Sequence, residues 1–276
     1  TTPIQHIDDD KGEIALCILS ADNVGALNDL DELGNLCDIS VRALDQIIDY
    51  QRYPVKAAEV STKARRSLGI GFIGLAHYLA KNNVKYSDEK AWELVDRLSE
   101  AFQYYLLRAS CNLAEEKGKC TAFDKTKYAD GLLPIDHYKK EVDKVIPHKQ
   151  RMAWESLRKD IAKYGLRHST LSSQMPSESS SVVSNETNGI EPPRALLSIK
   201  KSKKGPLKQI VPGYPKLKND YTLLWDMPSN EGYINVVAMM QKYFDQAISG
   251  NWSYNPLHYE NNEVPLSAMA QDMLTA

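Results

Sequence analysis

Two stretches of the chain carry residue types that could do chemistry. Residues 166–181 read Leu-Arg-His-Ser-Thr-Leu-Ser-Ser-Gln-Met-Pro-Ser-Glu-Ser-Ser-Ser, and residues 188–194 read Asn-Gly-Ile-Glu-Pro-Pro-Arg. In physical terms this is a strand, a proline turn, and then hydroxyl side chains at the start of a helix. Backbone N–H groups left free at a helix start, together with the positive end of its dipole, favour an anion such as phosphate. Serine hydroxyls add further donors. The plainer alternative is a serine-capped helix with no ligand, because serine is a preferred cap. The second stretch is Gly12-Glu13-Ile14-Ala15-Leu16-Cys17-Ile18-Leu19-Ser20-Ala21. A cysteine between leucine and isoleucine on a strand is ordinarily a small, inert core residue.

A resemblance sharpens both. Met175-Pro176-Ser177-Glu178-Ser179-Ser180, with Ser184-Asn185, Thr187 and Asn188 to Arg194 close behind, resembles the substrate-phosphate loop of ribonucleotide reductase large subunits of the aerobic class. The family pattern has threonine where this chain has Ser179, which keeps a hydroxyl. The resemblance implies that Pro176, Ser177, Glu178, Ser179 and Ser180 hold a nucleoside diphosphate. A carboxylate beside a phosphate is electrostatically unfavourable, so Glu178 is expected to offer its backbone N–H and turn its side chain away. The run around Cys17 resembles the barrel strand bearing one of two thiols that reduce the substrate and become a disulfide. Its partner cysteine would lie N-terminal to this chain. Cys37, Cys111 and Cys120 match nothing catalytic and are expected to be structural or surface thiols.

The likeness is diffuse but runs over essentially the whole chain. It includes Ala43-Leu44-Asp45, Asp49-Tyr50-Gln51, Arg65 to Gly71, Gln103 to Leu107, Leu133 to Asp136, Gly213-Tyr214 and Leu224 to Met227, which are expected to pack and position the barrel. The fold implied is a ten-stranded α/β barrel, of which residues 1–276 would supply about half, with many helices. The activity implied is reduction of ribonucleoside to 2′-deoxyribonucleoside diphosphates by thiyl-radical chemistry. Its implied partners are the substrate, the rest of the large subunit, a small subunit bearing a metal-radical cofactor, and a thioredoxin- or glutaredoxin-type dithiol reductant. No cofactor is expected on this piece itself. A finger-loop N-x-C-x-E motif would precede Thr1 and a radical-relaying Tyr-Tyr pair would follow Ala276. The piece is therefore expected to be cut at both ends and inactive alone. Two other readings stay open: a non-catalytic relic of the fold that binds a nucleotide or subunit, and an NAD-binding oxidoreductase.

The last rests on Gly69-Ile70-Gly71-Phe72-Ile73-Gly74, which satisfies G-x-G-x-x-G, with Asp88 or Glu89 beyond it. A dinucleotide fingerprint needs an apolar strand immediately before it, and Lys63-Ala64-Arg65-Arg66 is not one. Glycines that let helices pack closely are the expectation there. Lys200-Lys201-Ser202-Lys203-Lys204 could be a nucleic-acid patch, yet Gly205-Pro206 and flanking strands favour a solvated hairpin turn. The six histidines form no zinc spacing.

Positioning these residues requires a set of alternating elements. A strand is expected over 13–20, then a helix through Leu33, Leu36, Val41, Leu44, Ile47 and Ile48, opened by an Asp29/Glu32 capping box. A more apolar helix is expected over 68–81, and a third from a Ser87 cap to Gly118. Residues 121–147 read as loops and a short helix, and 147–164 as another helix. A strand is expected near 168–172, a hairpin over 195–211, and a helix from Gly232 to Gly250. Pro265 opens a last helix with Leu266, Met269, Met273 and Leu274 on one face. Strands alternating with helices favour an α/β fold with mostly parallel strands in one domain.

Composition agrees with a globular protein. The 276 residues are 42% hydrophobic and 25% charged, which excludes a disordered or fibrous chain. A net charge of −2 gives no pull toward nucleic acid or an anionic membrane. No apolar run reaches the ~20 residues of a membrane span, and Thr1-Thr2-Pro3 to Asp8-Asp9-Asp10 is too acidic for a signal peptide. Four scattered cysteines point to reduced thiols and a cytoplasmic setting.

Overall fold

The computed structural model describes residues 12–202 and 205–276. The acidic stretch Thr1 to Asp10 and the turn residues Lys203 and Lys204 lie outside the described residues. In chain order the elements are β1 (Ile18–Asn23), α1 (Glu32–Tyr50), α2 (Lys56–Arg65), β2 (Leu68–Ile73), α3 (Leu75–Lys81), α4 (Glu89–Lys117) and α5 (Pro134–His137). There follow α6 (Trp154–Tyr164), α7 (Glu178–Val183), β3 (Leu197–Ser202), β4 (Gly205–Ile210), α8 (Glu231–Gln241) and α9 (Leu266–Thr275).

β1 and β2 pair in parallel, with Ile18 opposite Leu68 and Asn23 opposite Ile73. The sheet continues through bridges rather than full strands. Ile70 bridges Ser172 and Gln174 bridges Ile248, both in parallel. Leu68 N and Ile70 N donate to Thr170 O and Leu171 O, and Ser249 N to Gln174 O. Four parallel segments thus stand side by side, in the order β1, β2, residues 170–174 and residue 248, as in part of an α/β barrel. β3 and β4 form a separate antiparallel hairpin, which matches the expected 195–211 hairpin.

The glycine run is a strand, not the expected helix. In residues 68–73 large and absent side chains alternate, Leu68, Ile70 and Phe72 against Gly69 and Gly71. That period of two suits a strand whose large side chains all face one way. They are fully buried against the helix layer, where the Phe72 ring meets Phe102 of α4 at 4.6 Å and Phe244 at 5.5 Å. Gly74, at φ +83°, turns the chain into α3. The helix α2 was not anticipated, because its buried face is Ala57, Ala58, Ser61 and Thr62, too small and polar to register as an apolar stripe. α6 begins at Trp154, later than expected, and the first strand spans 18–23 rather than 13–20.

Two expected caps are also different. Asp29 Oδ1 accepts from Asp31 N, while the Glu32 carboxylate reaches back to Asn28 N rather than forming a box with Asp29. Asp88, not Ser87, precedes α4, and its carboxylate accepts from Lys85 N at 2.7 Å.

Two buried ionic clusters tie the helix layer together. Asp45 of α1 accepts from Arg66 Nε at 2.7 Å, Arg167 Nε at 3.2 Å and Lys117 Nζ at 3.2 Å, with His168 Nε2 3.3 Å away. Burial alone would raise its carboxyl. The His168 contact and the charges of Arg66, His168 and Arg167 overcome that and hold it well below the usual range. Arg66 sits in the left-handed region at φ 48°, where it closes α2 and turns its guanidinium inward. The second cluster joins α4, α6 and α8: Arg151 Nη1 bonds Asp96 and Glu100, Trp154 Nε1 donates to Glu100, and Lys242 Nζ lies 2.9 Å from Asp96. Such clusters cost much to break because removing one partner strands a buried charge.

α9 is anchored by Asp272, whose Oδ2 accepts from Asn230 Nδ2 and Tyr254 OH at 2.8 Å each. Its Leu266, Met269, Met273 and Leu274 are exposed. Among the described residues no helix is long and apolar enough to cross a membrane.

Asp22, at the end of β1, gives a titratable test of this packing. It is 4% exposed, its Oδ1 accepts from Ser40 Oγ at 2.6 Å, and its Oδ2 has no partner. Burial pushes its carboxyl up to about 6 despite the Ser40 hydroxyl. A raised folded-state value means that its contribution is complete at low pH and is lost as pH climbs through about 6. Asp22→Asn is therefore expected to raise unfolding free energy at pH 8 by about 3 kcal/mol, at about 1.4 kcal/mol per pH unit. Urea unfolding should also show a flatter pH dependence between pH 4 and 6 than in the wild type.

Candidate functional site

The face of the sheet turned away from the helices carries the residues singled out in the sequence. Cys17 and Leu19 alternate on one side of the chain entering β1, and beside them β2 has no side chain at Gly69. A Cβ built on Gly69 would lie 2.9 Å from Cys17 Sγ, 2.7 Å from Leu19 Cδ2 and 3.3 Å from Ser173 Cβ. A Cβ on Gly71 would meet Ser173 O at 2.5 Å and Gln174 Oε1 at 2.9 Å. Cys17 Sγ thus lies over the middle strand because that strand is bare there.

At the opposite, C-terminal ends of the strands lies the serine-rich turn. Gln174 is the device that ends the ladder. Its side-chain Oε1 accepts from Phe72 N at 2.8 Å, and its Nε2 donates to Phe72 O at 3.0 Å and to Met175 O at 3.2 Å. A side-chain amide thereby replaces the backbone partner that β2 would otherwise have, and frees the main chain to turn outward. Ser177 is buried and its hydroxyl donates to Met175 O at 3.2 Å, so it does not cap α7. The first intrahelical bond is Ser181 N to Ser177 O at 2.9 Å. The N–H groups of Glu178, Ser179 and Ser180 precede it and have no acceptor within the helix. α7 is only six residues long, so these N–H groups matter more here than any dipole.

Pro176, Ser177 and Glu178 line a narrow cleft. Ser179 and Ser180 are exposed just beyond it and do not line it. The facing wall is Asn188, Gly189, Ile190 and Glu191, with Ser249 and Asn251 closing one end. Asn188 Oδ1 is buried without a hydrogen-bond partner. The signal for Asn188 to Glu191 was present in the motif; for Ser249 and Asn251, brought in from the fourth parallel segment, there was none.

Cys17 opens onto a separate, polar crevice shared with Arg65, Lys125, Lys127, His137 and Asp245. Asp245 closes the wall by accepting from Leu171 N, Ser172 N and Tyr128 OH at 2.8 to 3.0 Å. Part of Cys17 reaches solvent, yet its sulfur sits against β2. Burial first, and the Asp245 charge next, push its thiol up to about 11. The remaining cysteines, Cys37, Cys111 and Cys120, are buried and free.

Comparison with known proteins settles the family. The model of the ribonucleotide reductase barrel domain matches residues 4–276. The chain belongs to the ribonucleotide reductase barrel-domain family. It is 57% identical over all of its length to the ribonucleoside-diphosphate reductase subunit alpha of Haemophilus influenzae, of which the match covers 36%. It is 52% identical over 83% of its length to subunit alpha of ribonucleoside-diphosphate reductase 1 of Escherichia coli, covering 30% of that protein. The subunit alpha of phage T4 is 42% identical over 99% of the chain. The chain thus spans about a third of the length of these relatives.

Within this family fold the glycine run cannot serve as a dinucleotide turn. Gly69 and Gly71 lie inside β2, with Cys17, Leu19, Ser173 and Gln174 filling the space over them. The N–H groups of Gly74 and Leu75 at the start of α3 are taken by Thr187 O and Gly189 O. Lys200 and Lys201 pair with Leu207 and Pro206 inside the hairpin. Among the described residues no group of three or more His, Cys, Asp or Glu could hold a metal ion.

The reactivity of Cys17 follows from its surroundings. The thiolate is the nucleophile, and a thiol raised to about 11 stays protonated at neutral pH. Iodoacetamide labelling of Cys17 is expected to be slow at pH 7 and to rise about tenfold per pH unit toward pH 11. Mass-spectrometric counting of modified Cys17, against the three buried cysteines as controls, checks this.

Proposed function

We propose that this chain forms the part of a ribonucleoside-diphosphate reductase large subunit that grips the substrate diphosphate and supplies one of two reducing thiols. The observation that carries the reading is that Cys17 and the 176–178 turn lie at opposite ends of the two parallel segments that flank β2. Cys17 Sγ lies over Gly69, level with Leu171, and the turn begins five residues on at Pro176. At ~3.3 Å per strand residue the two are on the order of 15 Å apart. That span suits an extended nucleoside diphosphate, with its phosphates in the cleft and its ribose toward the thiol.

In this reading the backbone N–H groups of Glu178, Ser179 and Ser180 and the hydroxyls of Ser179 and Ser180 donate to phosphate oxygens, Ser177 shapes the turn through its bond to Met175 O, and the exposed Glu178 carboxylate stays in solvent. Pro176 fixes the turn. The net chemistry balances as two thiols losing two electrons and two protons. The substrate C2′–OH gains them to become C2′–H and water, and the thiols become a disulfide. Cys17 is one thiol; the other belongs to a part of the subunit outside residues 1–276. The protonated state of Cys17 at neutral pH suits a group that must deliver hydrogen rather than attack as thiolate. A small subunit supplies the initiating radical, and a thioredoxin- or glutaredoxin-type dithiol in the cytoplasm reduces the disulfide again.

The test uses the subunit at the full length of its relatives, with its small subunit. Cys17→Ser is expected to abolish turnover with a dithiol reductant, by at least about a thousandfold, while leaving diphosphate binding intact. Ser179→Ala together with Ser180→Ala is expected to raise KM for the diphosphate about tenfold, or about 1.4 kcal/mol. Diphosphate binding without any reduction in the wild type would leave a non-catalytic nucleotide-binding relic. NAD binding that depends on Gly69 and Gly71 would overturn the reading.

A further inference from the structure

The wall of the cleft that faces the serine turn, residues 187–191, has no secondary structure of its own, so something else must hold it. Nearly everything that does so converges on one buried residue, Glu186, which is 3% exposed. Its Oε1 accepts from the N–H of Thr187 at 2.8 Å. Its Oε2 lies 3.0 Å from His77 Nδ1 of α3. The carboxylate occupies space that two glycines leave open. A Cβ on Gly25 would lie 2.7 Å from Glu186 Oε2, and one on Gly74 would lie 2.8 Å from Glu186 Cγ.

The backbone of the same residue is held as firmly. Glu186 N donates to Ser181 O of α7 at 2.7 Å, and Glu186 O accepts from Gln209 Nε2 of β4 at 2.9 Å. The next residues are fastened to α3, with Gly74 N on Thr187 O at 3.0 Å and Leu75 N on Gly189 O at 3.3 Å. The His77 ring lies near-parallel to Tyr221, with centroids 6.5 Å apart. Glu186 therefore joins α7 and the hairpin through its backbone, and α3 and the opposite cleft wall through its carboxylate.

We propose that Glu186, held by His77, is a positioning residue for the diphosphate cleft: it fixes the separation between the 176–178 turn and the 188–191 wall. It touches no substrate and acts through Asn188 and Gly189. The proposal rests on the reading that this cleft takes the substrate diphosphate. Loss of the carboxylate releases the Thr187 N–H and the His77 tether and leaves a void between Gly25 and Gly74. The wall then relaxes, and phosphate binding weakens while the thiol chemistry at the other end of the strands is unaffected.

The experiment compares Glu186→Ala, Glu186→Gln and His77→Leu in the full-length subunit with its small subunit. The readouts are steady-state kinetics and equilibrium binding of a nucleoside diphosphate and of the same nucleoside without phosphates. Glu186→Gln can keep both contacts, its Oε1 on Thr187 N and its Nε2 on an unprotonated His77 Nδ1, and is expected within about twofold of wild type. Glu186→Ala is expected to raise diphosphate KM and Kd about tenfold with kcat unchanged and nucleoside binding unchanged. His77→Leu, which keeps bulk but loses the hydrogen bond, is expected to raise KM several-fold and serves if Glu186→Ala does not fold. An unchanged KM in Glu186→Ala or His77→Leu overturns the proposal, as does equal weakening of diphosphate and nucleoside. A wild-type subunit that binds no diphosphate at all would instead overturn the functional reading beneath it.

Discussion

The bare face of β2 is the constraint on which the site depends. Gly69 and Gly71 leave no side chain between the middle strand and the space in front of it, and neighbouring groups fill that space from three directions. Cys17 and Leu19 come in from β1, Ser173 from the third segment, and the Gln174 amide from the end of the ladder. A methyl group at either glycine would compete directly with these atoms, and close-packed interiors do not absorb such overlap without moving something. The same strand places Leu68, Ile70 and Phe72 on its other face, fully buried against the helices. β2 is therefore a spine that is dense on one side and open on the other, and both conditions are met by one alternating pattern.

The helix layer behind it is held by charge as much as by apolar contact. Asp45 gathers cations from the end of α2, the end of α4 and the segment just before the third strand. Arg66 is thus at once the stop signal of α2, the residue before β2 by two positions, and the principal partner of Asp45. The register of β2 and of residues 167–172 relative to α1 is set by this cluster, since neither segment can slide without uncovering a buried carboxylate. The Asp96–Glu100–Arg151–Lys242 cluster does the same for α4, α6 and the turn after α8. That turn leads into the fourth parallel segment, which brings Ser249 and Asn251 to the cleft.

The two working ends of the site are built by different means. At the thiol end, Asp245 binds consecutive backbone N–H groups of the third segment and fixes the wall beside Cys17. At the serine-turn end, one strand stops because a glutamine side chain takes over its hydrogen bonds, and a glutamate holds the loop opposite. In both places a side chain completes a backbone ladder. A barrel strand thereby gives way to a turn without leaving buried peptide groups unpaired.

Much of this was legible in the sequence. The fold class, the proline turn, the hairpin and the long helix to Gly118 all followed from local patterns and from the family motif, whereas the strand expected around Cys17 begins only after it. What could not be read locally is what depends on a partner distant in sequence. Residues 68–73 are apolar enough for either helix or strand; the choice was made by β1 and residues 170–174, which supply the hydrogen bonds on both sides. α2 escaped notice because its buried face is made of alanine, serine and threonine, whose role appears only once α1 and the sheet lie against it. The motif names Pro176 to Ser180 together without ranking them, whereas folding buries Ser177, places Pro176 and Glu178 at the cleft, and leaves Ser179 and Ser180 at its rim. The sequence by itself determined which residues could bind phosphate and carry a thiol, because those are properties of side chains and short-range turns. The tertiary structure alone decided which of them share a cleft and what holds its far wall, because those depend on contacts such as Glu186 with His77, 109 positions apart.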